Sequence, residues 1–224
     1  MGIKERRQRE KEHRRTSILD SAADLFFRNG YEKTRMIEIA EDCDLSKGTL
    51  YLYFKNKEDL AQGVVERSYD ILIEFLNSAA DRAARGIEKL RAMLDAFRQF
   101  YHTENQHFYL ATVLENYLDL PPCLETRPSH PVGEAENGLF SRIFLIRRMI
   151  IDSIRLGIED GSIRPTLDAE VASVAYMELV FGFYKEIFDH GESLDKRMVP
   201  LERLIGEVND LMIRTLTEEG RDYR

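Results

Sequence analysis

The residues best suited to binding chemistry lie in one short segment, Leu45 to Leu60, which reads LSKGTLYLYFKNKEDL. Leu50 and Phe54 are four residues apart, so on a helix they share one face and can point inward. The other sides then carry Lys47, Gly48, Thr49, Tyr51, Tyr53 and Lys57. Lysine and tyrosine bind phosphate oxygens, a threonine can touch a base edge or a thymine methyl, and a glycine allows close backbone approach. Each tyrosine alone would more often be half-buried core, but the combination favours a nucleic-acid surface.

Short helices are predicted to position this segment. Apolar residues repeat at helical spacing from about Arg15, and Asn29-Gly30 ends that helix, with Gly30 suited to a left-handed cap. Thr34 is predicted to cap the second helix, with Glu38 at capping-box distance. Cys43 to Leu45 make a turn, and Ser46 caps the third helix. Two short helices joined by a tight turn are typical of a helix-turn-helix.

The rest of the chain has the same helical periodicity and no strand pattern, so we predict an all-α protein of about nine helices. We expect a flexible basic arm over residues 1–14, a three-helix helix-turn-helix domain over 15–60, and a larger helical domain over 61–224. A proline-rich loop contains Cys123, which could act as a thiol sensor.

Charge and composition narrow the function. The net charge is −8, but residues 1–60, which we call the head, hold 13 Lys and Arg against 12 Asp and Glu. The acidic excess therefore lies outside the head. Neither a secretory leader nor an apolar run of about 18 residues is present, so we expect a cytoplasmic protein without a membrane segment. The sequence contains no nucleophile–base motif, phosphate loop or metal-ligand spacing, which argues against an enzyme, a metal site or a cofactor.

Residues of about 16 to 62, reading ILDSAADLFFRNGYEKTRMIEIAEDCDLSKGTLYLYFKNKEDL, resemble the DNA-binding domain of TetR/AcrR-type transcriptional regulators. The resemblance implies that Thr34, Lys47, Thr49, Tyr51, Tyr53 and Lys57 occupy positions that commonly contact DNA. It also implies that Gly48 lies near the major groove and that Arg35 reaches a phosphate. Two positions depart from the family pattern. Asp44 stands where the turn usually has glycine, and Ile37 stands where the second helix often has a polar or basic residue.

For the remainder of the chain, the resemblance implies a divergent helical domain that binds a small molecule and forms a homodimer. The small or apolar residues Ala172, Ala175, Leu179 and Phe183 are candidates for the dimer interface, although the same stripe could face the chain's own core. An apolar or aromatic ligand of moderate size would suit the residues Phe97, Phe100, Tyr101, Phe108, Tyr109, Tyr117, Phe144 and Met149. An aromatic stripe at helical spacing is, however, more often core than pocket.

The leading hypothesis is a ligand-responsive dimeric regulator, normally a repressor, that binds a palindromic double-stranded DNA operator and is released by an apolar or aromatic effector. The alternative is a helical ligand-binding adaptor whose helix-turn-helix head binds protein rather than DNA. The exposed cations and tyrosines of the third helix argue against the adaptor.

Overall fold

A computed structural model of the protein describes residues 2–114, 138–195 and 200–217, and over these ranges the chain is all-α. Nine helices follow one another without a strand in the described part: α1 Ile3–Asn29, α2 Met36–Asp42, α3 Lys47–Tyr51, α4 Lys57–Ala80, α5 Gly86–Thr103, α6 Asn105–Val113, α7 Leu139–Glu159, α8 Ala169–Asp195 and α9 Leu201–Thr217. This confirms the predicted fold class. None of the described helices combines the length and the apolar character that crossing a membrane requires. Tyr117 and Cys123 lie outside the described residues.

The helices form two compact units. The first comprises residues up to Asp70 together with α6, and the second contains the remaining described helices, including the end of α4. The sequence had placed the boundary at residue 60, with α6 in the larger domain. Instead α6 packs on α1: Gln106 Nε2 donates to Asp24 Oδ1 at 2.9 Å, and the rings of Phe27 and Tyr109 meet edge to face.

Helix α1 is longer than predicted. The residues expected to form a flexible arm, 1–14, are helical from Ile3 onward. They lack apolar periodicity, which is why the sequence indicated a tail, but Glu, Lys, Arg and Gln are all good helix formers. Glu5 accepts a hydrogen bond from the Gly2 N–H at 2.9 Å, and Arg6 pairs with Glu10 one turn later at 2.9 Å.

The core of the first unit is small and built from one face of each helix. Ile18 and Phe26 of α1, Ile39 of α2, and Leu50 and Phe54 around α3 are all buried. The predicted inward orientation of Leu50 and Phe54 is therefore confirmed. This packing fixes the opposite side of α3 at the surface.

The second unit depends on a close helix crossing. A Cβ atom on Gly86, at the start of α5, would lie 2.1 Å from the backbone nitrogen of Gly157 in α7. The same helix start is capped from a distance, because Asp160 Oδ2 accepts from the Gly86 N–H at 2.8 Å and Ser162 Oγ accepts from the Ile87 N–H at 3.2 Å. A hydrogen bond from the Ser162 side chain, and next the bond from the Gly86 N–H, hold the pKa of Asp160 below its usual value.

Candidate nucleic-acid interface

The turn between α2 and α3 is tight and uses a left-handed residue. Asp44 has φ 54°, and the Leu45 N–H donates to the Ala40 carbonyl at 2.8 Å. Aspartate tolerates this region better than most residues, so Asp44 can take the place of the family's glycine in this turn. Cys43 is half-buried beside the turn, and burial raises the pKa of its thiol. The turn therefore delivers the chain directly into α3.

The start of α2 differs from the prediction that Thr34 caps this helix. Arg35, not Thr34, is the N-cap of α2, and the Glu38 carboxylate accepts from the Arg35 N–H at 2.8 Å. Thr34 is only 1% exposed, and its hydroxyl donates to the carbonyls of Gly30 at 2.9 Å and Leu25 at 3.2 Å. The Thr34 side chain therefore fixes the α1–α2 turn and does not project from the surface.

The Arg35 guanidinium lies at the surface with 72% of its side chain exposed, and it pairs with Glu38 at 2.7 Å. The hydrogen bond with Glu38 raises the pKa of Arg35 and the same bond lowers the pKa of Glu38. A phosphate approaching Arg35 has to share it with this carboxylate. Arg35 is thus available to an anion, but in competition.

The start of α3 is capped by Ser46, as predicted. Its hydroxyl accepts from the Thr49 N–H at 3.1 Å and lies 2.8 Å from the Thr49 hydroxyl. Lys47 and Gly48 are exposed, and the Lys47 ammonium lies 5.9 Å from the ring centre of Tyr51, which is 41% exposed. A Cβ on Gly48 would meet only Ser46 Oγ, at 3.9 Å, so nothing inside the protein requires glycine there.

Lys57 is engaged within the protein. Its ammonium donates to the carbonyls of Tyr31 at 2.8 Å, Thr34 at 3.2 Å and Glu32 at 3.3 Å, and it lies 4.2 Å from the Tyr31 ring centre. An ammonium group has three donors, so these carbonyls can occupy all of them. Lys57 therefore joins the start of α4 to the α1–α2 turn, and the predicted contact with DNA would compete with these carbonyls.

The surface that remains is continuous along one short stretch. The structure brings together Lys47, Gly48, Thr49 and Tyr51 on or beside α3, with Tyr53 half-buried at its exit. Two exposed neighbours were missed by the sequence reasoning: Leu52, 81% exposed, and Lys55. The spacing could have indicated both residues. Leu52 lies between the inward positions Leu50 and Phe54, and Lys55 lies between Phe54 and the start of α4.

The residues predicted to line a ligand site are dispersed. Phe108 and Tyr109 belong to α6 in the first unit, whereas Phe97, Phe100, Tyr101, Phe144 and Met149 lie on α5 and α7 in the second. Phe100 packs against Phe75, Tyr101 packs against Tyr184, and Phe97 lines an apolar cavity of about 20 Å³. The cavity's other walls come from α4, α7 and α8 and were not anticipated.

The predicted dimer stripe lies on α8. Ala175 and Leu179 are exposed, Leu179 by 58%, and Ala172 and Phe183 are half-buried. Two further apolar side chains are exposed on α8 and α9, Val171 by 67% and Leu211 by 58%. For Ala175 and Leu179 the alternative of facing the chain's own core is wrong.

These features define the class of protein: a helix-turn-helix DNA-binding unit joined to a larger helical unit. Residues 18–64 match the family described as bacterial regulatory proteins, tetR family. Over these residues the chain therefore carries a DNA-binding domain of the TetR type, and its relatives support a TetR-type transcriptional regulator.

Known proteins resemble this chain well beyond its head. The transcriptional repressor KstR2 of Mycolicibacterium smegmatis is 29% identical over 70% of this chain and 71% of its own. The fatty acid metabolism regulator protein of Bacillus subtilis is 28% identical over 75% and 78%, respectively. Among solved structures, AibR in complex with isovaleryl coenzyme A and operator DNA is 25% identical, with a TM-score of 0.61 over 91% of this chain and 98% of that one.

Proposed function

We propose that the chain is a homodimeric repressor that binds a palindromic operator and is released when the apolar acyl group of a coenzyme A thioester enters its second unit. The observation that carries the proposal is the apolar cavity enclosed by α4, α5, α7 and α8. The relatives support the chemistry, since one is a fatty acid metabolism regulator and another was solved with isovaleryl coenzyme A.

The cavity suits an acyl chain rather than a polar ligand. The cavity is lined by aliphatic, methionine and aromatic side chains: Leu76, Met93, Leu94, Phe97, Ile146, Ile150, Tyr176, Met177, Val180 and Phe181. The one hydroxyl among them, on Tyr176, already donates to the Leu90 carbonyl at 2.8 Å. At about 20 Å³ the cavity holds little more than a methyl group, so an effector has to expand it. Met93 and Met177 are unbranched and adapt readily to such a change.

Helix α4 supports coupling between the effector and the DNA-binding unit. Leu76 near its end lines the cavity, and Lys57 at its start holds the α1–α2 turn of the head. An effector that binds better to one conformation of this helix shifts the protein towards that conformation. The effector then lowers the affinity for DNA by the same factor by which bound DNA lowers the affinity for the effector.

The exposed apolar stripe of α8 and α9 supports homodimerisation. Val171, Ala175 and Leu179 on α8 and Leu211 on α9 are apolar residues left exposed, and an exposed apolar patch marks an interaction surface. A two-fold dimer would pair this patch with itself. Two heads related by that axis would read the two halves of a palindrome.

The effector is tested by titrating isovaleryl, octanoyl and stearoyl coenzyme A, with free coenzyme A as the control, against the complex of the protein with duplexes it selects from random sequence. We expect at least one thioester to release the DNA and free coenzyme A to have no effect. Release by none of the thioesters, with intact DNA binding, would contradict the proposed effector class and leave the DNA-binding function in place.

The dimer is tested by sedimentation of Leu179→Arg/Leu211→Arg. We expect this variant to sediment as a monomer and to bind a palindromic duplex far more weakly. The matched control is Leu145→Arg, which charges an exposed leucine of α7 outside the stripe. If the double variant stays dimeric, the α8–α9 stripe is not the interface.

A further inference from the structure

The first four turns of α1 carry an ordered arrangement of charge. At 100° per residue, Lys4, Arg7, Lys11, Arg14 and Arg15 fall within a sector of about 100°, which we call the basic stripe. The three glutamates of this segment, Glu5, Glu10 and Glu12, fall outside the sector. Residues 1–15 hold seven Lys and Arg against three Glu, although the chain as a whole is acidic. The stripe is therefore a local basic surface on an acidic protein.

The basic stripe lies on the side of α1 that, further along the helix, packs into the helix-turn-helix core. Ile18 and Ala22, both fully buried in that core, continue the same sector further along the helix. An isolated charged helix of this length would be marginal in water, but here it extends a helix that the core already stabilises. Arg14 also lines an open groove of about 630 Å³ between α1 and the turn at Cys43, Asp44 and Leu45, which leads into α3.

Arg15 at the end of the stripe lies 5.1 Å from the Phe54 ring centre, but local energetics do not explain the other four cations. Lys4 and Arg7, and Arg7 and Lys11, are like-charged neighbours at helical spacing, which destabilises a helix. Cations near a helix amino terminus also oppose its dipole. Among the residues that the structure describes, the recorded ion pair in this segment joins Arg6 to Glu10, and neither lies in the stripe. A polyanion bound along the stripe would relieve this repulsion.

We propose that the basic stripe of α1 is a second DNA-contacting surface, which binds the phosphate backbone of the duplex whose bases α3 reads. Residues 3–14 of a helix span about 18 Å, and duplex DNA carries one charge per about 1.7 Å of its axis, so several phosphates lie within reach. These contacts strengthen binding to any duplex and carry no sequence preference, because phosphates are the same at every base pair. The inference goes beyond the contacts of the helix-turn-helix and does not depend on the proposed effector.

The test compares two variants that remove the same charge from the same helix. Arg7→Gln/Lys11→Gln removes two cations of the stripe. Arg6→Gln/Arg28→Gln removes two cations outside it, each of which pairs with a carboxylate of α1. Glutamine is a good helix former, so helix content and the unfolding midpoint should stay close to those of the wild type, as measured by circular dichroism.

Affinity is measured at several salt concentrations, without effector, on a duplex selected by the full-length protein and on a mixed-sequence duplex. For the stripe variant we expect weaker binding to both and a salt slope smaller by about 1.8 per bound head, since each lost phosphate contact removes about 0.9. The control variant should keep the wild-type slope. An unchanged slope in the stripe variant, or an equal loss in both variants, overturns the proposal. A loss confined to the selected duplex overturns it too, because that would be base reading.

Discussion

The two units hold their helices in place by different means. In the first unit, polar side chains fasten turns to helices: the Lys57 ammonium binds three carbonyls, and the Thr34 hydroxyl binds two. In the second unit, backbone meets backbone at Gly86 and Gly157, and apolar side chains surround a cavity. The first unit leaves one side of α3 exposed and therefore buries only a small core. Polar contacts help to fix the positions of its helices, which close packing fixes in the second unit.

This difference predicts which kind of substitution harms each unit. Changes of shape should be most damaging in the second unit, where close packing transmits even one extra methyl group. Removal of a hydrogen-bond donor should be most damaging in the first, where buried carbonyls would lose their partner.

The largest effect is expected for Gly86→Ala. Its Cβ would lie 2.1 Å from the Gly157 nitrogen, and helix backbones cannot yield as a flexible side chain can. We expect the free energy of unfolding to fall by about 3 kcal/mol, the upper range for overpacking. Chemical denaturation followed by circular dichroism measures it. Gly206→Ala is the control, because its Cβ would have no atom within 4 Å and alanine favours a helix. Equal midpoints for Gly86→Ala and the wild type would exclude the close crossing.

A smaller loss is expected for Lys57→Met, which keeps the length of the side chain but removes its donors. Three carbonyls and the Tyr31 ring lose their cation, so the free energy of unfolding should fall by about 2 kcal/mol, as for a hydrogen bond to a charged group. Lys55→Met is the control, since Lys55 is an exposed lysine of the same corner. If Lys57→Met instead weakens DNA binding without lowering stability, Lys57 is a phosphate contact, as predicted from the sequence.

Thr34 and Lys57 also show which side-chain contacts can be predicted from the sequence and which cannot. Capping preferences and periodicity predicted Ser46 as a cap, Asp44 in the turn, and Leu50 and Phe54 as core, because these depend on neighbours within a few residues. The partners of Thr34 and Lys57 are set by tertiary folding, so residue type and spacing suggested DNA contacts where the structure has internal bonds. The family pattern does not distinguish a DNA contact from an internal hydrogen bond either, because it gives the residue at each position and not the partner of its side chain.

Prediction was weaker for the second unit for a related physical reason. An aromatic residue at helical spacing marks a buried face, but the helix against which that face packs is a long-range property. Phe97 lines the cavity, whereas Tyr109, predicted beside it, packs on Phe27 of α1. The helical arm of α1 was missed for the opposite reason, because helix propensity without apolar periodicity is a weak signal on its own.

Gly48→Ala should separate folding from DNA binding in the first unit. Nothing within the protein opposes a Cβ there, and alanine is about 1 kcal/mol better than glycine within a helix, so stability should rise slightly. If the backbone of α3 approaches the duplex closely at Gly48, the affinity for DNA should fall in the same variant. Gly206→Ala again serves as control, with a similar gain in stability and unchanged DNA affinity. Full DNA affinity in Gly48→Ala would remove Gly48 from the interface.

The smallest and sharpest comparison makes one substitution in both units. Val180→Ile places one methylene into the cavity of about 20 Å³, where burial is worth up to about 0.8 kcal/mol, so the second unit should become more stable. Val64→Ile adds the same methylene in the first unit, at a residue that is only 1% exposed and does not line this cavity, so overpacking should cost about 1 kcal/mol. The proposed effector should also bind Val180→Ile less well, because the space it expands is already filled. If the two variants change the free energy of unfolding in the same direction, the proposed difference in internal space between the two units is wrong.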